Sequence, residues 1–260
     1  MRFVGGSALA VMSLLLVGCQ GGGASAKSEY DTGLKELVKK DTVVGKGREA
    51  AEEDAVFVLY RGTFIKDGKQ FDANMDDVES KTPLSFVVGQ GSMIKGWEEG
   101  VIGMKEGGTR ELDVPYKLGY GDAGRDKIPP KSDLHFEIKL LYVLKKSEEG
   151  VYDVFDDKVG TGPAAKAGDT VTIHYVGTYL TGKVWDDSRE RGNPETFPLK
   201  VTDEAMPGLI AGIEGMKVGG KRTLVIPPQL AFGIVGTASV EGNQPLKIVV
   251  DLLQVNGKAN

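Results

Sequence analysis

The sequence predicts an α+β fold in which one compact unit, a β-sheet with a single short helix, occurs twice along the chain. Three observations predict it. Val56-Phe57-Val58-Leu59-Tyr60-Arg61-Gly62-Thr63 alternates with the period of a half-buried strand and returns as Val171-Thr172-Ile173-His174-Tyr175-Val176-Gly177-Thr178, an offset of 115 (171 − 56). Gly107-Gly108-Thr109-Arg110-Glu111-Leu112-Asp113-Val114-Pro115 returns as Gly219-Gly220-Lys221-Arg222-Thr223-Leu224-Val225-Ile226-Pro227, an offset of 112 (219 − 107). Between these strands, Ile94-Lys95-Gly96-Trp97-Glu98-Glu99-Gly100-Val101 places apolar residues at i, i+3 and i+7, between glycines suited to start and stop a helix. One helix against a sheet is an α+β arrangement. A repeat this long is a duplicated domain rather than a solenoid unit, and 260 residues accommodate two domains of ordinary size.

Composition agrees with two globular domains, at 40% hydrophobic and 27% charged residues of interspersed sign. A net charge of -5 lacks the basic footprint that phosphate neutralisation requires, which argues against nucleic acid as a partner.

Taken in chain order, residues 1–18 have the form of an export signal: Arg2, an apolar run from Ala8 to Val17, and a processing site. The run is too short to span a bilayer. Its end, Leu16-Val17-Gly18-Cys19, resembles the bacterial lipobox, which implies cleavage before Cys19 and acylation of its thiol. Cys19 is the sole cysteine, so no disulfide forms within one chain. Lipoproteins of this kind carry several acyl chains, enough for stable anchoring. In them Gln20, rather than aspartate, after the cysteine implies delivery to an outer membrane where the cell has two, facing the periplasm or the cell surface. The expected location is therefore the cell envelope, at the membrane through this anchor. Residues 19–30, rich in glycine, alanine and serine up to Lys27, read as a flexible tether. The first domain is expected over 31–146, the second over 150–257, and the polar join at Lys145-Lys146-Ser147-Glu148-Glu149-Gly150 is too short for wide separation.

Within the first copy, Gly68-Lys69-Gln70-Phe71-Asp72, Ile94-Lys95-Gly96-Trp97-Glu98-Glu99-Gly100, Leu118-Gly119-Tyr120-Gly121 and Ile128-Pro129-Pro130 stand in an order that resembles the FKBP-type peptidyl-prolyl cis-trans isomerases. Four ordered motifs over about a hundred residues are a far more specific signal than one glycine pattern. The second copy resembles the family more loosely. The resemblance implies two FKBP-like domains, each a half-wrapped antiparallel β-sheet packed on a short α-helix, with an apolar pocket between them that receives a proline side chain. It implies Trp97 as the floor, with Tyr60, Phe71, Phe86 and Phe136 as aromatic walls. Leu84, Met93, Ile94 and Ile128 would border the pocket. Its polar contacts would be the Ile94 N–H, the Tyr120 hydroxyl and the Asp72 carboxylate. The implied activity is isomerisation of X–Pro bonds in unfolded or exported polypeptides, without cofactor or metal.

The chemistry suits such a pocket. Rotation about a prolyl peptide bond crosses a barrier of roughly 20 kcal/mol as the amide loses its double-bond character. A twisted amide is less polar than a planar one, so a dry aromatic cavity stabilises it relative to the hydrated ground state. Fixed donors orient the flanking carbonyls, and no nucleophile or titrating base is needed.

Other readings of the same residues carry less. Aromatic residues in alternating strands are commonly core residues, and only the ordered motifs assign these to a pocket. His135 and His174 are expected on the outer sheet face rather than as metal ligands. Asp72-x-Asn74-x-Asp76 resembles the start of a calcium loop, but Asp77 stands where glycine is required and Pro83 where the closing glutamate belongs. Gly89-Gln90-Gly91 completes no phosphate-binding pattern.

The second copy departs from the motif set. Leu209 stands for Trp97, Phe232 for Tyr120, Ile248 for Phe136 and Val240-Glu241-Gly242 for Ile128-Pro129-Pro130. Tyr175, Trp185, Asp186, Phe197 and Met206 keep pocket positions, and Arg191 is placed to partner the aspartate. The expectation is a pocket with impaired catalysis and retained peptide binding, dividing labour with the first. A non-catalytic module holding proline-containing segments is the alternative for the whole chain.

Overall fold

The computed structural model describes residues 28–76, 82–148, 153–202 and 205–259, which form two six-stranded antiparallel sheets. Cys19, the signal segment and most of the tether lie outside the described residues. The first sheet comprises β1 Val38–Val43, β2 Ala55–Phe64, β3 Gln70–Ala73, β4 Leu84–Val87, β5 Thr109–Val114 and β6 Leu134–Leu144, with α1 Lys95–Gly100 preceding β5. The second comprises β7 Asp153–Lys158, β8 Thr170–Tyr179, β9 Val184–Asp187, β10 Glu195–Pro198, β11 Lys221–Ile226 and β12 Leu246–Val255, with α2 Pro207–Ile213 preceding β11. The expected α+β duplication is thus present, helix included.

β2 organises the first domain because its β-branched and aromatic residues suit a pleated surface, here buried on both faces over Val56–Leu59. One edge pairs with β6 from Ala55↔Leu144 to Phe64↔Leu134. The other edge is shared: Arg61–Thr63 pair with β3, and Ala55–Val58 with β4. β8 repeats this with β12, β9 and β10. The strands at the far edge, β1 and β7, escape alternation because all six residues of β1 and five of six in β7 are exposed, so no face selects apolar side chains.

The glycines of α1 act differently from the sequence expectation. Gly96 and Gly100 lie within the helix, where a Cβ would stand 2.4 Å from Val114 Cγ1 and 2.4 Å from Leu112 Cδ1. They let the helix lie directly on β5 rather than start or stop it. Gly208 and Gly212 do the same on Ile226 and Leu224. Arg110, buried in β5, locks the arrangement: Nη1 donates to Gly100 O at 2.8 Å and Ile102 O at 2.9 Å, and Nε donates to Asp41 Oδ1 at 2.6 Å on β1. Arg222 repeats the clamp with Gly212 O at 2.8 Å and Asp156 at 2.6 Å.

At the N-terminal end, the segment expected as tether is already docked by residue 30. The Tyr30 ring lies 5.1 Å from that of Phe64, and its carbonyl accepts from the Asp133 N–H at 3.1 Å. His135 Nδ1 lies 2.7 Å from Asp113 Oδ1 and His174 Nδ1 lies 3.0 Å from Ser188 Oγ. No group of three metal-ligating side chains gathers among the described residues, and no helix among them is long and apolar enough to cross a membrane. The two domains touch. Phe57, Tyr142 and Leu144 of the first pack with Leu180 and Val225 of the second, and Arg48 Nη2 donates to Asp153 Oδ2 at 2.8 Å.

Candidate active site

In the first domain α1 supplies the floor. Trp97 is almost fully buried, and its ring meets those of Tyr60 at 5.1 Å, Phe136 at 5.2 Å and Phe86 at 5.9 Å. Phe71 stands edge-on to Phe136 at 5.7 Å and is backed by Phe64 at 5.0 Å. Both rings fit against the sheet because Gly62 has no side chain; a Cβ there would lie 2.6 Å from Phe71 Cζ and 2.9 Å from Phe136 Cε1. The expected aromatic set is therefore one contiguous cluster, with Met93, Ile94 and Tyr120 half-buried against it and Ile128 buried at its edge.

Three polar groups border this cluster. Ile94 caps α1, its carbonyl accepting from Trp97 N–H at 2.9 Å, while its own N–H has no partner among the described residues. Such a donor is available for a ligand carbonyl. The Tyr120 hydroxyl also has no partner among them, and burial pushes its pKa up. Tyr60 donates its hydroxyl to Asp72 Oδ2 at 2.6 Å. Burial, then that hydrogen bond, holds the Tyr60 phenol well above its ordinary value, so it stays a neutral donor.

Two residues unassigned by the sequence position these groups. Glu98, buried on α1, accepts from the N–H groups of Gly89 and, at 3.1 Å, Met93, fixing the turn ahead of Ile94. Asp133, fully buried, accepts from the N–H of Tyr116 at 2.8 Å and from Thr32 at 2.8 Å, anchoring the 3-10 turn 116–118 that leads to Tyr120. A carboxylate beside an otherwise unremarkable loop gives no periodic signal by which to find it. Leu84 packs against the same cluster and also lines a groove with Tyr60 and Asp72.

The second domain encloses a cavity of about 580 Å³ lined by Tyr175, Trp185, Phe197, Met206, Leu209 and Phe232, with Asp186, Arg191 and Glu195 also on its lining. Seven of the eight positions expected there line it; Ile248 does not. It is fully buried in the core, since a branched aliphatic side chain too short to reach the lining is drawn in among Leu224, Ile226 and Val250. The loss of an aromatic floor at Leu209 is offset from another element. Trp185 on β9 lies over Gly177, where a Cβ would be 2.2 Å from Trp185 Cζ2, and meets Phe232 edge-on at 5.7 Å. Tyr175 donates to Asp186, and Arg191 bonds both Asp186 and, at 2.5 Å, Glu195. Burial alone would raise the Asp186 carboxyl, but hydrogen bonds from Tyr175 and Arg191 hold it below its ordinary value. Phe232 supplies no hydroxyl where the first domain has Tyr120.

A family model described as FKBP-type peptidyl-prolyl cis-trans isomerase matches residues 46–141 and 162–253. Peptidyl-prolyl cis-trans isomerase FKBP9 of Homo sapiens is 32% identical over 212 residues, covering 80% of this chain and 36% of that protein. Peptidyl-prolyl cis-trans isomerase FKBP10 of Homo sapiens is 30% identical over 216 residues, covering 82% and 36%. FK506-binding protein 4 of Gibberella zeae is 47% identical over 103 residues, covering 40% and 20%. The chain thus spans roughly a third or less of the length of these relatives. With the model matched twice, over most of both sheets, the chain belongs to the FKBP-type peptidyl-prolyl cis-trans isomerase family.

Proposed function

We propose that this chain is a peptidyl-prolyl cis-trans isomerase in which the first pocket carries the reaction and the second mainly holds polypeptide. The observation that carries the reading is the pairing, in the first domain only, of a closed aromatic cluster around Trp97 with two unpartnered donors, the Ile94 N–H and the Tyr120 hydroxyl. A proline ring seated on Trp97 leaves water, and the donors hold the flanking carbonyls while the imide bond turns. Desolvation lowers the barrier because the twisted imide is the less polar state. The Tyr60–Asp72 hydrogen bond keeps the wall rigid rather than moving a proton. In the second pocket the Met206 N–H is likewise unpartnered among the described residues, yet the hydroxyl is absent, which favours binding there over turnover.

The test is isomerisation of a short prolyl peptide by the full chain. Acceleration that falls sharply on Trp97→Leu supports the reading; a folded chain that leaves the uncatalysed rate unchanged overturns it and favours a pure binding module.

The clients we propose are proline-containing unfolded segments of exported proteins, met in the cell envelope by a lipid-anchored chain. The support is the lipobox-like Leu16-Val17-Gly18-Cys19 after a short apolar run. Labelled fatty acid should appear on the wild-type protein and not on Cys19→Ser, which should also leave the membrane fraction. Absence of label from the wild type would remove the anchor.

A further inference from the structure

The segment 240–244 of the second domain, at the position of Ile128-Pro129-Pro130 and the two residues after it, lies against the first domain. Asn243 Nδ2 donates to Ser85 Oγ at 2.8 Å, and the buried Gln244 donates through Nε2 to Pro83 O at 3.4 Å. This docking sets Glu241 on the wall of a groove of about 410 Å³ whose remaining lining is Tyr60 with the segments 72–74 and 82–84. The groove borders the aromatic cluster of the first domain, because Tyr60, which packs on Trp97, also lines the groove and donates its hydroxyl to Asp72 there.

The charges in the groove are one-sided. Among the described residues its lining holds two carboxylates and no lysine, arginine or histidine. Asp72 is already engaged, Oδ2 by the Tyr60 hydroxyl and Oδ1 by the Ala73 N–H at 2.9 Å. Asn74 is committed to Tyr60 N–H at 2.6 Å and to the carbonyls of Val58 and Thr82. Arg61, on the same strand as Tyr60, is held by Asp76 and Glu137. The Glu241 carboxylate, by contrast, has no hydrogen bond or ion pair among the described residues; only its backbone N–H is used, toward Tyr179 Oη at 3.0 Å.

We propose that Glu241 is a specificity-determining residue contributed by the second domain to the first domain's substrate groove, where it favours a lysine or arginine next to the isomerised proline. The inference rests on the first pocket being the prolyl site. A polypeptide leaving a proline seated by Tyr60 places its neighbouring residue one Cα step, about 3.8 Å, further along, within reach of the groove. A long basic side chain there meets a carboxylate that has no partner among the described residues, whereas an acidic one meets two like charges.

The experiment uses the full chain and one prolyl peptide carrying lysine, alanine or glutamate immediately before or immediately after the proline. Both kcat/KM and Kd, the latter from tryptophan fluorescence, are measured at low and high salt. The expected result is a preference for lysine over glutamate of about three- to tenfold at one flanking position, as for exposed charge pairs, shrinking at high salt. E241Q should remove most of that ratio and E241K should invert it. Asn243→Ala with Gln244→Ala, which keeps the glutamate in the chain but releases its segment from the groove, should flatten it equally. A lysine-to-glutamate ratio equal in wild type and E241Q, or one that survives undocking, overturns the proposal. Lack of turnover with every peptide would instead count against the isomerase reading, and the Kd ratios would still decide the role of Glu241.

Discussion

Gly62→Ala isolates how much the reaction depends on the walls staying in place. A Cβ at residue 62 would stand 2.6 Å from Phe71 Cζ and 2.9 Å from Phe136 Cε1, against an ordinary carbon–carbon contact of about 3.5–4.0 Å. One or both rings must therefore retreat by about 1 Å. Neither has free space behind it, since Phe71 is backed by Phe64 at 5.0 Å and Phe136 by Trp97 at 5.2 Å. Overpacking of this kind costs about 1–3 kcal/mol, which for a domain near 100 residues lowers its transition by roughly 5–20 °C. A displacement of about 1 Å at a positioned site can cost as much as 10²-fold in rate, so kcat/KM on a short prolyl peptide should fall about 10- to 100-fold. Thermal unfolding followed by tryptophan fluorescence gives the first quantity and the peptide assay at a temperature well below the transition gives the second. Gly177→Ala forces the same clash on Trp185 and should cost the peptide assay far less. Unchanged kcat/KM in a Gly62→Ala chain that is measurably destabilised would refute the reasoning, because the walls would then have moved without consequence.

Tyr120→Phe should lower kcat/KM by about fivefold, the worth of one donor near 1 kcal/mol, with Phe136→Ile deepening the loss; an unchanged rate would remove the hydroxyl from the mechanism. Arg110→Met leaves the carbonyls at the end of α1 and the Asp41 carboxylate unpaired and should destabilise the first domain by about 2–4 kcal/mol in chemical denaturation. The hydrogen bond from Arg110 outweighs burial and lowers the Asp41 pKa. The stability it contributes is therefore present above the unfolded carboxylate value near 4 and is lost as pH falls through the depressed folded value, so Arg110→Met should flatten the acid limb of stability against pH. The Tyr175 phenol is pushed up to about 12 by burial and then by its bond to Asp186. A raised folded value means stability that is whole below the unfolded value near 10 and lost as pH rises toward 12, a slope that Tyr175→Phe should remove in alkaline denaturation.

Much of this architecture can be read from local pattern. The alternation in Val56–Thr63, its recurrence at Val171–Thr178 and the spaced apolar residues of Ile94–Val101 specify two sheets and two short helices, because a buried face imposes a period on the chain that covers it. The same holds for the first pocket. Trp97, Phe71, Phe86, Phe136 and Tyr60 gather because each lies on the buried side of its own element. Where no face is buried the pattern is silent, and β1 and β7 are defined by their pairing with β5 and β11 alone.

What tertiary structure decided is which residues meet across long separations. Ile248 and Phe136 share a register position, opposite Gly177 and Gly62, yet only the aromatic side chain joins a ring cluster, with Phe71 and Trp97, while the aliphatic one stays off the cavity lining of its domain. Trp185 replaces a floor lost at Leu209 because Gly177, on the neighbouring strand, leaves room for its ring. Asn243 meets Ser85 across 158 positions, and with it Glu241 enters the groove beside Tyr60 and Asp72. Sequence periodicity records burial within one element; it holds no information on how two finished domains dock, because it does not say which partner covers a face, whether the apolar face of Phe57, Tyr142 and Leu144 or the polar loop contacts of Asn243 and Gln244.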